Sequence, residues 1–221
     1  MLSTIAPVHA QTQEKVLRTL TVTGEGVENI ATSLTEVQLG VEVSARSADA
    51  AQNTAAKQTA AVVDFLRSRQ VERLQTVGIQ LQPNYDYSNN QRKLLGYIAT
   101  NTVSFRATTE KVGLLLDEAV KAGATRINGI SFLASDQAIE IAQKAALKKA
   151  TLEAQSQAEA VFQALNVQAK EIVSVRVNGA TPPIVPKIQA DYAMRAAAAP
   201  PTPVIGGEQT VRASVTLQIA Y

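Results

Sequence analysis

Apolar and polar positions alternate along much of the chain, and the period switches between two and about 3.6. Leu20 and Val22 stand against Thr19, Thr21 and Thr23, which predicts a short strand over Leu17–Thr23, closed by a turn at Gly24-Glu25-Gly26. From Thr32 to Ala45 the alternation is stricter. Val37, Leu39, Val41 and Val43 share one face; Glu36, Gln38 and Glu42 share the other. This is a long half-buried strand. Ser47 then caps a helix over Ala48–Arg69, whose stripe is Ala48, Ala51, Ala55, Val62 and Leu66. Thr76–Tyr87 reads as a strand with Val77, Ile79 and Leu81 facing inward. Pro83 places it at an edge or a bulge. After a polar loop, Leu94–Ala107 returns to complete a long hairpin. Thr108 or Thr109 opens a helix over Glu110–Ala122, ended by Gly123, and Arg126–Leu133 is a strand.

Ser135 opens the longest helix, Asp136–Leu165. At 1.5 Å per residue it runs for about 45 Å. Its stripe, Ala142, Ala146, Ala150, Ala154 and Ala158, offers little bulk, so another backbone can come close. Two partners fit that stripe: the chain's own sheet, or another subunit, with Ala142, Ala146, Ala150 and Ala154 as the contact. Lys170–Asn178 and Glu208–Ala220 are further strands. Between them, residues 179–207 hold six of the eight prolines and read as a Pro/Ala-rich arm. The order of elements predicts an α+β fold, a mixed β-sheet with long hairpins packed against three helices, one of them long. No internal repeat and no domain boundary before Gly179 stand out.

Composition narrows the chemistry. The 221 residues include 36 alanines, no Cys, no Trp and a single His, His9. Without Cys there is no disulfide, no thiolate catalysis and no Cys-ligated metal. The charge sum is +2, and the basic residues form only doublets such as Arg92-Lys93 and Lys148-Lys149, which argues against nucleic acid as a partner. Val8-His9-Ala10 resembles the end of a signal peptide cleaved before Gln11, but the basic and apolar regions of a full signal are missing. Residues 1–10 are therefore either the remnant of a truncated signal or an ordinary terminus. In the first case the mature chain carries no imidazole.

No catalytic, cofactor-binding or metal-ligating set emerges. Gly24 and Gly26 form G-x-G after a strand, yet the third glycine of a dinucleotide fingerprint is Asn29 and another strand follows. Asp117-Glu118, Glu36 and Glu42 match no metal loop and read as surface. Tyr85, Asp86 and Tyr87, with Tyr97 across the hairpin, make a candidate polar-aromatic binding patch.

Seven motifs in order then carry a resemblance. They are Thr21-Val22-Thr23-Gly24-Glu25-Gly26, Leu39-Gly40-Val41-Glu42, Ala50 through Asn53, Leu81-Gln82-Pro83-Asn84-Tyr85-Asp86-Tyr87, Gly96-Tyr97-Ile98-Ala99-Thr100-Asn101, Gly123-Ala124 with Ile127-Asn128-Gly129-Ile130-Ser131-Phe132, and Gly207-Glu208-Gln209 leading into Ala213-Ser214-Val215-Thr216. The chain resembles the SIMPL-domain (YggE-like) family of exported bacterial proteins. It departs from the family pattern at Ala31-Thr32, Asn166 and Gln143. The resemblance implies an α+β SIMPL-like domain over 11–221, export to the periplasm or cell envelope, self-assembly into a homo-oligomer, and an association with oxidative-stress tolerance; contact with the envelope or a membrane surface is a further expectation, resting on the Tyr85–Tyr97 hairpin. The resemblance defines no catalytic residue, and the residue supply gives no reason to expect a cofactor. The expectation is a non-enzymatic envelope protein acting as an assembly or binding module. The alternatives are a polysaccharide- or lipid-surface-binding protein and a direct antioxidant or metal scavenger.

Overall fold

A computed structural model describes residues 18–88, 92–181 and 204–221. The leader-like residues 1–10, with His9, lie outside the described residues, as do positions 182–203 of the arm. The elements run β1 (Thr19–Ala31), β2 (Leu34–Ala45), α1 (Ala48–Ser68), β3 (Glu72–Asp86), β4 (Lys93–Thr108), α2 (Thr109–Lys121), β5 (Arg126–Leu133), α3 (Asp136–Leu165), β6 (Ile172–Thr181) and β7 (Glu208–Ala220). The fold is α+β, with its strands divided between two antiparallel sheets. Among the described residues the chain forms two compact units, one within 28–143 with 181 and 204–211, the other of 18–27, 144–180 and 212–221.

The first of these units holds a four-stranded sheet in the order β3-β4-β2-β5. β2 pairs antiparallel with β4 from Leu34↔Thr108 to Ala45↔Tyr97, and on its other side with β5. The alternation in β2 decides the faces. Val37, Leu39 and Val41 are buried with Val103 and Phe105 of β4, Val62 and Leu66 of α1, and Val112 and Leu116 of α2. Each such side chain contributes about 1.5–3 kcal/mol by leaving water. The Ser47 hydroxyl accepts from the Ala50 amide at 3.3 Å and starts α1 as expected. Thr108 occupies the same position before α2 but makes no side-chain cap bond.

β3 corrects one expectation. Val77, Ile79 and Leu81 do not face inward; they are 46–64% exposed. β3 is the edge strand, as Pro83 foretold, and α1 lies mainly over β2 and β4. The register irregularity between Thr76 and Gly78 sets Val77 on the open face with Thr100 and Thr102, while Ile79 and Leu81, opposite Asn101 and Ala99, lie on the helix side at the edge of the sheet.

In the other unit, α3 packs on the sheet β1-β7-β6. Here the expected Gly24-Gly26 turn is overturned, because both glycines lie inside β1. A Cβ on Gly24 would collide with the carbonyl of Ala150 and the amide of Ala154; on Gly26 it would collide with the carbonyl of Ala146. The glycines are small because a helix backbone sits on them. α3 starts at Ser135, whose hydroxyl accepts from the Ala138 amide, and is followed by Asn166 at φ 51.

Candidate functional site

Three surfaces carry the residues singled out by sequence. The alanine stripe is the first. Ala142, Ala146, Ala150 and Ala154 are all at most 2% exposed. Ala146, Ala150 and Ala154 lie against Gly24 and Gly26 of β1, so the stripe belongs to the chain's own packing and offers a second subunit no accessible face. The subunit contact expected there is replaced by a helix–strand contact. Ile141, Leu152 and Leu165 are the large apolar residues that α3 leaves exposed.

The second surface is the end of the β3–β4 hairpin. Tyr85 and Tyr87 lie 6.3 Å apart between ring centroids at a tilt of 57°. The Arg92 guanidinium sits 4.3 Å from the Tyr85 ring centre and donates to its hydroxyl at 3.3 Å. This is cation–π geometry. Asp86 accepts from the Ser88 hydroxyl at 2.6 Å and from the Ser88 amide at 2.9 Å. The hydroxyl bond first, then the amide bond, favours the ionised carboxylate and lowers its pKa below the usual 3.8. Tyr97 does not join this group. It pairs opposite Pro83 and packs with Ala51, Ala55 and Ala99 beneath α1. The patch is therefore Tyr85, Asp86, Tyr87 and Arg92. The loop cation was legible only as half of a basic doublet.

The third surface is the open face of the four-stranded sheet, where a mostly polar hollow of about 430 Å³ is lined by Gln38, Glu42, Gln80, Gln82, Thr100, Thr102, Arg126 and Asn128, with Val77 and Gly78 at the β3 side. Arg126 Nη1 meets Glu42 Oε2 at 2.6 Å, and Asn128 donates to the Thr102 hydroxyl at 3.1 Å. Beside it, Arg106 Nε meets Glu36 Oε2 at 2.9 Å. The charges cancel in pairs, so the hollow presents amides and hydroxyls without net charge. Sequence reasoning treated Glu36 and Glu42 as solvated surface and missed their partners, which lie on other strands.

None of these surfaces brings together a nucleophile and a base. Among the described residues no three of His, Cys, Asp or Glu converge as metal ligands. Also among them, no helix is long and apolar enough to cross a membrane.

Comparison with known proteins sets this geometry in a lineage. Residues 20–219 match the family described as SIMPL, a protein of unknown function (DUF541). The uncharacterized protein YggE of Escherichia coli K12 is 31% identical over 181 residues, covering 78% of this chain and 70% of the relative. The uncharacterized YggE proteins of Escherichia coli O157:H7 and Shigella flexneri match to the same extent. The match runs from β1 into β7, the first and last strands in the order of the described elements, and the chain belongs to the SIMPL family.

Proposed function

We propose that the protein is an exported, non-enzymatic module of the bacterial cell envelope, working by self-assembly, with an indirect link to oxidative-stress tolerance. The observation that carries the assembly reading is apolar surface on the edge strand β6. Ile172, Val173, Val175 and Val177 on β6 are 44–58% exposed. Single exposed apolar residues are ordinary. Rows of them beside unpaired backbone groups are templates for pairing with another chain. The non-enzymatic reading is supported by the residue supply, with no thiol in the chain and its one imidazole at His9. Export is supported by the leader-like Val8-His9-Ala10 and by the family resemblance.

Size-exclusion chromatography with light scattering on the full chain tests assembly. A species of two or more copies at micromolar concentration is expected, and a strict monomer at high micromolar concentration overturns the reading. Fractionation of cells expressing the complete upstream reading frame tests export. A mature N-terminus at Gln11 in the periplasmic fraction is expected, against an intact Met1 in the cytosol.

One observation favours a second reading, recognition of an envelope polysaccharide or lipid surface. Tyr87 is 70% exposed beside Tyr85 and its stacked Arg92, so an aromatic face and a cation meet at the hairpin end. Glycan-array and liposome binding lost in the Tyr85→Ala, Tyr87→Ala double variant would support it.

A further inference from the structure

The two sheets have four edge strands, β1, β3, β5 and β6. Natural edges are guarded against pairing with other chains, and three of these are. On β1, α3 supplies the guard: Glu153 Oε2 accepts from the Glu25 amide at 2.9 Å, and Lys149 Nζ donates to the Val27 carbonyl at 3.1 Å. On β5, a strand of only eight residues, the Gln209 side chain takes the amide of Ala134 at 2.8 Å and the carbonyl of Phe132 at 3.3 Å. β3 carries Pro83 and three register irregularities. A proline lacks the amide, and bulges twist an edge away from a would-be neighbour.

β6 carries none of these devices among the described residues. Every position from Glu171 to Gly179 is exposed, there is no proline, and Arg176 is the one charge within Ile172–Gly179. Its sequence Val173-Ser174-Val175-Arg176-Val177 reads the same way in both directions with respect to valine. That symmetry selects a partner. In an antiparallel pair of identical strands centred on Val175, Val175 faces its own copy, Val173 faces Val177, and Ser174 faces Arg176. Centring on Arg176 would set two cations opposite each other, which is unfavourable. Centring on Ser174 would set Ile172 against Arg176 and Val177 against Glu171. Centring on Val173 would set Val175 against Glu171 and Arg176 against Lys170. One register alone matches all three valines and separates the charges.

We propose that β6 pairs antiparallel with β6 of a second copy about a twofold axis at Val175, joining two three-stranded sheets into one of six strands. Such an interface is self-complementary, as twofold contacts must be. Main-chain hydrogen bonds supply its affinity and the valine pairs its register. The inference rests on the assembly reading and names the surface that performs it.

The absence of native cysteine makes the register readable, because an introduced thiol can pair only with another introduced thiol. Directly opposed residues in an antiparallel pair have Cα atoms about 4.5–5.5 Å apart, inside the roughly 4.4–6.8 Å span of disulfides. Two Val173 positions would stand four residues apart along the strand, about 13 Å. Under mild oxidation, Val175→Cys is expected to give a covalent dimer on a non-reducing gel at least tenfold faster than Val173→Cys. The Val173→Cys, Val177→Cys double variant is expected to link as Val175→Cys does. Val175→Lys is expected to shift the light-scattering mass toward the monomer with an unchanged circular dichroism spectrum. Equal linking by Val173→Cys and Val175→Cys overturns the register. No linking by any variant, while the parent remains oligomeric, overturns the β6 interface and leaves assembly through another surface standing. A monomeric parent overturns both.

Discussion

Gly26→Ala is the sharpest probe of how β1 meets α3. The added Cβ would meet the Ala146 carbonyl oxygen and lie 2.7 Å from the Ala150 amide nitrogen. Both are backbone atoms of a helix, so no side chain can rotate away. Either α3 lifts or β1 bends, and each opens the contact held by the fully buried Ala146, Ala150 and Ala154. Inserting a methyl group into a filled contact costs about 1–3 kcal/mol, more where the surroundings cannot adapt. The unfolded chain loses entropy on Gly→Ala, which returns about 0.4–1 kcal/mol. A net loss of about 2 kcal/mol is expected, or about 4–8 °C in melting temperature for a chain of this size. Gly78→Ala in β3 is the control. Its added Cβ would lie 3.7 Å from the Thr102 Cβ, an ordinary contact, so the variant should match the parent or exceed it by up to about 1 kcal/mol. Urea unfolding followed by circular dichroism at 222 nm measures both. A Gly26→Ala variant within about 0.5 kcal/mol of the parent would refute the claim that these glycines exist to admit a helix.

Three other outcomes follow from the same contacts. Ser47→Ala should destabilise by about 1 kcal/mol through the lost cap of α1, whereas Thr108→Ala, which removes no cap bond, should cost clearly less in the same urea titration. Phe105→Ala removes the largest fully buried side chain of the four-stranded sheet and should cost about 3–5 kcal/mol, read as a lower urea midpoint. Ser88→Ala should raise the Asp86 titration toward 3.8, measured by carboxyl carbon NMR. Because the folded value is depressed, the Asp86–Ser88 turn is held above the ordinary carboxylate pKa and loosens as pH falls through the folded one.

Much of the framework was legible because burial and period coincide. Val37, Leu39 and Val41 alternate with Glu36 and Gln38, and the sheet buries one set and wets the other. The bounds of α1 and α3 followed from Ser47 and Ser135, whose hydroxyls cap them. Elsewhere one pattern served two structures. Glycine marks a turn and a close approach alike, so Gly24 and Gly26 ended a strand on paper that in fact runs on to Ala31. The alanines four apart on α3 were the matching half of that contact, but spacing cannot say which backbone comes near. Alternation likewise gave β3 an apolar face without showing the irregularity at Thr76/Gly78 that turns Val77 to the other side of the sheet. The hairpin patch was half legible. Tyr85, Asp86 and Tyr87 are neighbours in sequence, while the place of Tyr97 depends on a register set by irregularities at Asn84/Tyr85.

The order β1-β7-β6 also governs when folding can finish. The middle strand, β7, comes after both of its neighbours in the chain. Thr23 of β1 waits for Thr216 of β7, which is 193 residues away, before their hydroxyls can meet at 2.8 Å. Closing such a loop costs about 5 kcal/mol in chain entropy before any contact repays it. During synthesis β1 and β6 are both made while the strand that separates them does not yet exist. This three-stranded sheet therefore cannot form until β7 has been made, and its assembly is expected to be late and slow rather than a gradual accretion.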